Sequence, residues 1–171
     1  KHGRSTTEKR PKDERKFHFK REIGETERWI YGFLLLFVAL FLLLAVVSYF
    51  FTWGDDQAAL RAGVGWSETD HVANHLGKLG AIVSSWLAGD CFGAFAVGIP
   101  VMLLILALRI MRIRPLFLHR SVRITFICMI LGSLSLGFLV GTRWGILGTG
   151  LGGGMGIAAA EWLRAASGSV G

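Results

Sequence analysis

Three long apolar runs constrain this chain more than any other feature. They cover residues 30–51, 91–108 and about 122–140, and the only charged side chain within them is Arg123, near the start of the third. As a helix, the 22 residues of the first run extend about 33 Å, and a bilayer's hydrocarbon core is roughly 30 Å thick. Because a segment in lipid must satisfy its own backbone polar groups, the sequence predicts an all-α, polytopic bundle of transmembrane helices with three visible spans.

The composition supports a membrane location. Hydrophobic residues make up 52% of the chain and the mean hydropathy is +0.49, which is more than an ordinary soluble domain carries. A long charged tail precedes the first apolar run, which is also too long for a secretory signal peptide and lacks a cleavage site of small residues. We therefore expect this run to remain in the protein as a transmembrane helix.

Composition shifts divide the chain into segments of alternating location. Within residues 54–90, between the first two spans, apolar residues at helical spacing predict an amphipathic helix over 71–88 on the outer surface. Pro100 is expected to kink the second span or to loosen the turn before it. The predicted segments are a basic cytoplasmic tail at 1–28, helix one at 29–53, an extracytoplasmic loop with the amphipathic helix at 54–90, helix two at 91–108, a basic cytoplasmic loop at 109–121, helix three at 122–141, and a Gly-rich extracytoplasmic segment with a short helix at 142–171.

The distribution of charge predicts the orientation in the membrane. Residues 1–28 contain ten Lys and Arg against six acidic residues, whereas residues 54–75 contain four acidic residues against one Arg. Cytoplasmic loops are enriched in Lys and Arg, so the N-terminus is expected in the cytoplasm. The net charge of +7 would also suit nucleic acid, but both basic clusters adjoin apolar runs, which favours the topological interpretation. The residues of the second cluster, expected to determine topology, are Arg109, Arg112, Arg114, Arg120 and Arg123.

Small residues in the third span recur at every fourth position. On a helix they would form one smooth stripe that lets another helix approach closely. That stripe predicts either packing within this bundle, which we favour, or a contact between subunits. Its members are Ser133, Gly137, Gly141 and Gly145.

No residue pattern predicts catalytic, cofactor or metal chemistry in this chain. Residues 148–153 spell GTGLGG, but the dinucleotide fingerprint requires a preceding strand and an acidic residue about 20 positions later. His71 and His75 have no third candidate ligand for a metal. The spans hold no ionisable residue away from their ends, which disfavours both a pump and an intramembrane enzyme.

Four sequence pieces, in their order and spacing, carry a family resemblance. The pieces are the basic tail entering helix one, the exit SYFFTW at 48–53 followed by DDQ at 55–57, the stretch NHLGKLGA at 74–81 leading to Phe92, Gly93 and Pro100, and the run GGGMG at 152–156. With these pieces, the chain over roughly 20–171 resembles the N-terminal membrane domain of the FtsK/SpoIIIE family of DNA translocases, a four-helix (4TM) domain.

The resemblance implies a function and a set of partners. It implies a membrane anchor and assembly module of a septal DNA translocase, acting in cell division and chromosome segregation at the septum of the bacterial inner membrane. It further implies a fourth helix after Gly171, a linker, and a hexameric motor using ATP and Mg²⁺, through which alone the protein would contact DNA. Membrane lipids, division proteins and further copies of the chain, six by resemblance, are the implied partners. The alternative is a stand-alone small membrane subunit of a transporter or secretion complex.

Overall fold

The computed structural model describes residues 24–63, 72–113, 118–142 and 145–168. Most of the predicted basic tail, Arg114 and part of the extracytoplasmic loop therefore lie outside the described residues. Every regular element within the described ranges is helical, which confirms the predicted all-α bundle. Three of the described stretches are long and apolar enough to cross a membrane: Glu25–Arg61, Gly77–Ile110 and His119–Leu139.

Helix α1, Glu25–Arg61, has 37 residues and extends beyond the predicted span 29–53 at both ends. Glu25 and Glu27 lie in its first turn, where negative charge is stabilised by the partial positive charge of the helix N-terminus. At the other end the helix continues through Asp56 and Gln57, which the sequence placed in a loop. The continuation is stabilised because both side chains are bound within the protein, as described below.

The second span is a broken helix. It begins as α2, Gly77–Ser84, continues as a π-helix over Ser85–Phe92 and a 3₁₀-helix over Gly93–Val97, and ends as α3, Gly98–Ile110. Pro100 lies in the first turn of α3, where its missing N–H costs little, and the 3₁₀ turn directly precedes it. The irregular part of the span therefore lies before Pro100.

The predicted amphipathic helix over 71–88 differs from the structure in its start and in its packed face. Residues 72–76 are not helical, and α2 begins only at Gly77. Leu79 and Trp86 are 55% and 59% exposed, respectively, whereas Gly80, Ala81 and Ser84 are buried and α2 packs against α1. The buried face of α2 is thus made of short side chains, and at Gly80 there is no space for a longer one, since an added Cβ would lie 2.5 Å from Oδ1 of Asn74.

The last two helices complete the bundle. Helix α4, Leu118–Leu139, packs against α3 and α5, and α5 is Gly153–Ser167, close to the short helix predicted near 155–166. We call the end of the bundle that holds the C-terminal turns of α1 its acidic end, and the end with the α3–α4 connection its basic end. One cluster of buried hydrophobic residues joins α1, the broken part of the second span and the segment before α5; its members are Val46, Tyr49, Leu87, Ala88, Ala96 and Leu147.

Candidate functional site: the contacts that hold the spans together

A fully buried carboxylate lies at the acidic end. Asp56 is 0% exposed, and its Oδ1 accepts a hydrogen bond from the backbone N–H of Asn74 at 2.8 Å. Its Oδ2 accepts one from the hydroxyl of Thr52 at 2.7 Å and one from Nδ2 of Asn74 at 3.3 Å. Burial of a carboxylate is costly unless it is hydrogen-bonded, so these donors allow Asp56 to lie inside the bundle.

Asn74 connects three parts of the chain through one side chain. Its Nδ2 lies 3.2 Å from the carbonyl oxygen of Ala45 and 3.3 Å from Oγ of Ser84, while its Oδ1 accepts from the N–H of Leu76 at 3.1 Å. Next to it, Oγ of Ser48 accepts from the N–H of His75 at 2.9 Å. Residues 74–76, directly before α2, are therefore fixed against α1. We name this group the polar cluster: Ser48, Thr52, Asp56, Asn74, His75 and Ser84.

The Gly-rich turn after α4 is bound to α1 by a second set of polar contacts. The hydroxyl of Tyr49 donates to the carbonyl oxygen of Leu147 at 3.3 Å, and Nε2 of Gln57 lies 2.8 Å from that hydroxyl and 3.0 Å from the same carbonyl. Tyr49 and Leu147 are 98 positions apart in the chain. These bonds therefore join the first span to the segment that precedes α5.

The same turn also contacts the broken part of the second span. The hydroxyl of Thr149 donates to the carbonyl of Gly89 in the π-helix, and the N–H of Ala94 donates to the carbonyl of Leu151 at 2.9 Å. Gly93 has a φ of +61°, which glycine adopts at little cost, and a Cβ there would lie 2.5 Å from the nitrogen of Gly153. Irregular backbone at membrane depth is tolerated where protein covers it, and the Gly-rich turn provides that cover.

We expect Tyr49→Phe to lower the free energy of unfolding by about 1 kcal/mol, the usual contribution of one hydrogen bond. The matched control is Tyr31→Phe, since Tyr31 is 53% exposed and a surface change of this kind stays within about 0.5 kcal/mol. Unfolding of each purified variant in mixed micelles, followed by circular dichroism, measures the difference. Equal stability of the two variants would contradict the role of the Tyr49 hydroxyl.

Two members of the predicted small-residue stripe lie in a close contact between α4 and α5. Oγ of Ser133 donates to the carbonyl oxygen of Gly152 at 2.6 Å. A Cβ added at Gly137 would lie 2.5 Å from the carbonyl carbon of Gly156, and one added at Gly156 would lie 2.5 Å from the carbonyl oxygen of Ser133. The two backbones meet here with no space for a side chain. This contact lies within one chain.

The other two members of the stripe are not on the helix, which corrects the prediction of one stripe of four residues. Helix α4 ends at Leu139, and Gly141 and Gly145 have φ values of +58° and +56°. The N–H of Gly141 donates to the carbonyl of Gly137 at 3.1 Å. The physical reason is that a residue of positive φ closes the last turn of the helix, so the period of four does not continue in space.

Arg164 of α5 also contacts the end of α4. Its guanidinium donates to the carbonyl oxygen of Phe138 and lies over the Phe138 ring, 4.8 Å from the ring centroid. A positive charge stabilises the carbonyl end of a helix, and the ring adds a cation–π attraction. The α4–α5 pair is thus held by a close glycine contact and by a cation at the helix end.

The described residues of the basic cluster predicted to determine topology lie at the end of α3 and at the start of α4. Of its five residues, Arg109, Arg112, Arg120 and Arg123 are exposed, and Arg114 lies outside the described residues. The N-terminal half of α1 reaches this end, because a Cβ added at Gly32 would lie 3.1 Å from Sδ of Met111. The orientation of this end toward the cytoplasm remains a prediction.

The buried polar residues of the described parts all take part in structural contacts: Ser48, Asp56, Asn74, Ser84 and Ser133. No group of three or more His, Cys, Asp and Glu side chains is placed there to hold a metal ion, and Cys91 and Cys128 are free. The GTGLGG segment, which literally matches the nucleotide fingerprint, forms the turn that binds Gly89 and Ala94. The arrangement is suited to hold membrane helices in a fixed relation.

The fold and these contacts define a polytopic helical membrane domain. A family model described as the 4TM region of DNA translocase FtsK/SpoIIIE matches residues 26–171, and the chain belongs to this family. The family resemblance of the sequence is thereby confirmed. No curated protein and no solved structure matched the chain. The matched region is the membrane part of these translocases and not their catalytic domain, so it assigns to the chain a role in membrane anchoring in the bacterial inner membrane.

Proposed function

We propose that this chain is the anchor and assembly module of a septal DNA translocase that acts in cell division and chromosome segregation. The observation that carries the proposal is the match of residues 26–171 to the membrane region of that family. The motor that would bind ATP, Mg²⁺ and DNA belongs, in this proposal, to another part of the protein. The N-terminus and the α3–α4 connection lie in the cytoplasm.

The internal contacts support an anchoring role. A motor that moves DNA exerts a reaction force on its membrane anchor, so the helices of that anchor must keep their arrangement under load. The bonds between Tyr49, Gln57 and Leu147 join the first span to the Gly-rich turn after α4. The polar cluster fixes residues 74–76, directly before α2, and the contact of Gly137 with Gly156 fixes α5.

A fluorescent fusion tests the septal role. The chain, fused to a fluorescent protein and produced in dividing bacteria, is expected to concentrate in a band at midcell. An unrelated four-span membrane protein with the same fluorescent partner serves as control and should label the whole envelope. A uniform envelope signal from both fusions would contradict the septal role and favour the alternative, a small subunit of a transporter or secretion complex.

The gene itself provides a second test. The codons after Gly171 should encode a further hydrophobic helix and, downstream, a GxxxxGK[ST] motif, whose backbone N–H groups bind nucleotide phosphates. A stop codon within a few residues would remove the proposed motor.

For the assembly role we propose six copies, which native mass spectrometry of the full protein from mild detergent would detect; only monomers would contradict it.

Cysteine labelling tests the orientation. In a background in which Cys91 and Cys128 are replaced by serine, Ala62→Cys should react with a membrane-impermeant thiol reagent in cells with a permeabilised outer membrane. Ser121→Cys, near the opposite end of the bundle, should react only after the inner membrane is broken. The reverse pattern, read by a mass shift of the labelled protein, would contradict the cytoplasmic location of the basic residues.

A further inference from the structure

A groove between α3 and α4 at the basic end combines apolar walls with a cationic rim. Its volume is about 460 Å³. Leu106 of α3 lies on one side of it, and the opposite side belongs to α4. The lining residues from α4 are His119, Val122, Arg123 and Phe126.

The spacing of the α4 residues separates charge from apolar surface along the groove. Positions 119, 122, 123 and 126 follow the i, i+3, i+4, i+7 pattern of one helix face. His119 and Arg123 occupy the first turns of α4, whereas Phe126 lies about 10 Å along the axis from His119. On α3, Leu106 is four residues before the helix end at Ile110, or about 6 Å. The groove is thus polar at its mouth and apolar at its depth.

The two helices that form the groove indicate how deep in the membrane it lies. Both walls belong to stretches long and apolar enough to span a bilayer, Gly77–Ile110 and His119–Leu139. The mouth lies at the shared end of these stretches, at the first turn of α4. Charged residues at the end of a span lie at the level of the lipid headgroups.

We propose that this groove binds one anionic phospholipid. The phosphodiester would lie between Arg123 and His119, and one acyl chain would lie along Leu106, Val122 and Phe126. Two arguments favour this occupant. The guanidinium of Arg123 is a strong hydrogen-bond donor to phosphate oxygens, and basic pockets between transmembrane helices bind anionic headgroups. The apolar walls of the groove can pack against an acyl chain of the same lipid.

Native mass spectrometry of the full protein, released from detergent, tests the proposal. Titration with dimyristoyl phosphatidylglycerol should give one tightly retained lipid per chain, and dimyristoyl phosphatidylcholine should not. Arg123→Gln should weaken phosphatidylglycerol binding about fivefold, which is the change in affinity expected when one cation near anionic lipid is lost. Arg120→Gln is the matched control, because it removes the same charge from the same helix turn without lining the groove, and it should weaken binding less than Arg123→Gln does.

A second variant tests the acyl part of the site. Leu106→Trp fills the groove while it leaves every charge in place, and it should abolish retention of phosphatidylglycerol. Inorganic phosphate at millimolar concentration should not displace the lipid, because it cannot use the apolar wall. Equal losses for Arg123→Gln and Arg120→Gln, equal retention of the two lipids, displacement by inorganic phosphate, or full retention by Leu106→Trp would each overturn the proposal. Arg123→Gln changes an exposed side chain, so its result decides the matter even if Leu106→Trp does not fold.

Discussion

Gly137→Leu is expected to lower the free energy of unfolding by about 3 kcal/mol or more, enough to reduce the yield of folded protein. The cause is steric: the Cβ alone would lie 2.5 Å from the carbonyl carbon of Gly156 and 2.9 Å from the nitrogen of Ile157. Both obstacles are backbone atoms, so no side-chain rotation relieves the clash, and overpacking of this kind costs about 1–3 kcal/mol or more. Unfolding in mixed micelles and the monodisperse fraction on size exclusion measure the effect.

The matched control for this variant is Gly54→Leu. Gly54 lies within α1 and is exposed, and a Cβ added there would meet no other part of the protein within 4 Å. Leucine in an exposed helix position is favoured over glycine by up to about 1 kcal/mol, so this variant should be neutral or slightly stabilised. Equal destabilisation of the two variants would show that the α4–α5 contact does not determine stability.

Asp56→Asn is expected to lower the free energy of unfolding by about 2–3 kcal/mol. The substitution keeps the shape of the side chain but replaces one acceptor oxygen by an NH₂ group. That group would face the hydroxyl of Thr52 and Nδ2 of Asn74, both of which now donate to Oδ2. Hydrogen bonds to a charged group contribute about 1.5–3 kcal/mol, and an unpaired buried donor adds its own desolvation cost.

Asp55→Asn removes the same charge from the neighbouring position and serves as its control. Asp55 is exposed, so its replacement should change stability by no more than about 0.5 kcal/mol. Limited proteolysis provides a local readout, because loss of the polar cluster should release residues 74–76 from α1 and make this segment sensitive to cleavage. A protease-resistant Asp56→Asn variant with unchanged unfolding would contradict the role assigned to this carboxylate.

The spans were predictable from the sequence because lipid imposes one strong requirement. A segment of about 20 apolar residues that satisfies its own backbone has few alternatives to a helix. The number of spans was therefore predictable without knowledge of their neighbours, although the second stretch begins at Gly77 and not at the predicted residue 91. Residue pieces such as SYFFTW and GGGMG identified the family for a different reason, since their order along the chain is specific even where each piece is not.

The polar cluster could not be predicted, because its partners are distant in the sequence. Asp55 and Asp56 together indicated a loop, yet α1 continues through them since Asp56 finds Asn74, 18 positions away. Nothing local distinguishes the buried Asp56 from the exposed Asp55.

The prediction of the small-residue stripe was wrong beyond Gly137 for a related reason. Glycine suits both a close helix contact and a residue of positive φ, and the sequence does not say which applies at Gly141.

The bond between Ala94 and Leu151 bears on how the protein enters the membrane during synthesis. The N–H of Ala94, in the second span, can donate to the carbonyl oxygen of Leu151 only after residue 151 has been synthesised, which is 57 residues later (151 − 94). At about 5–20 residues per second that interval lasts about 3–11 s. During it, the 3₁₀ turn must find another hydrogen-bond acceptor, such as water in the insertion machinery or an interfacial position. The second span is thus expected to leave the ribosome-bound insertion site late, together with the last helix.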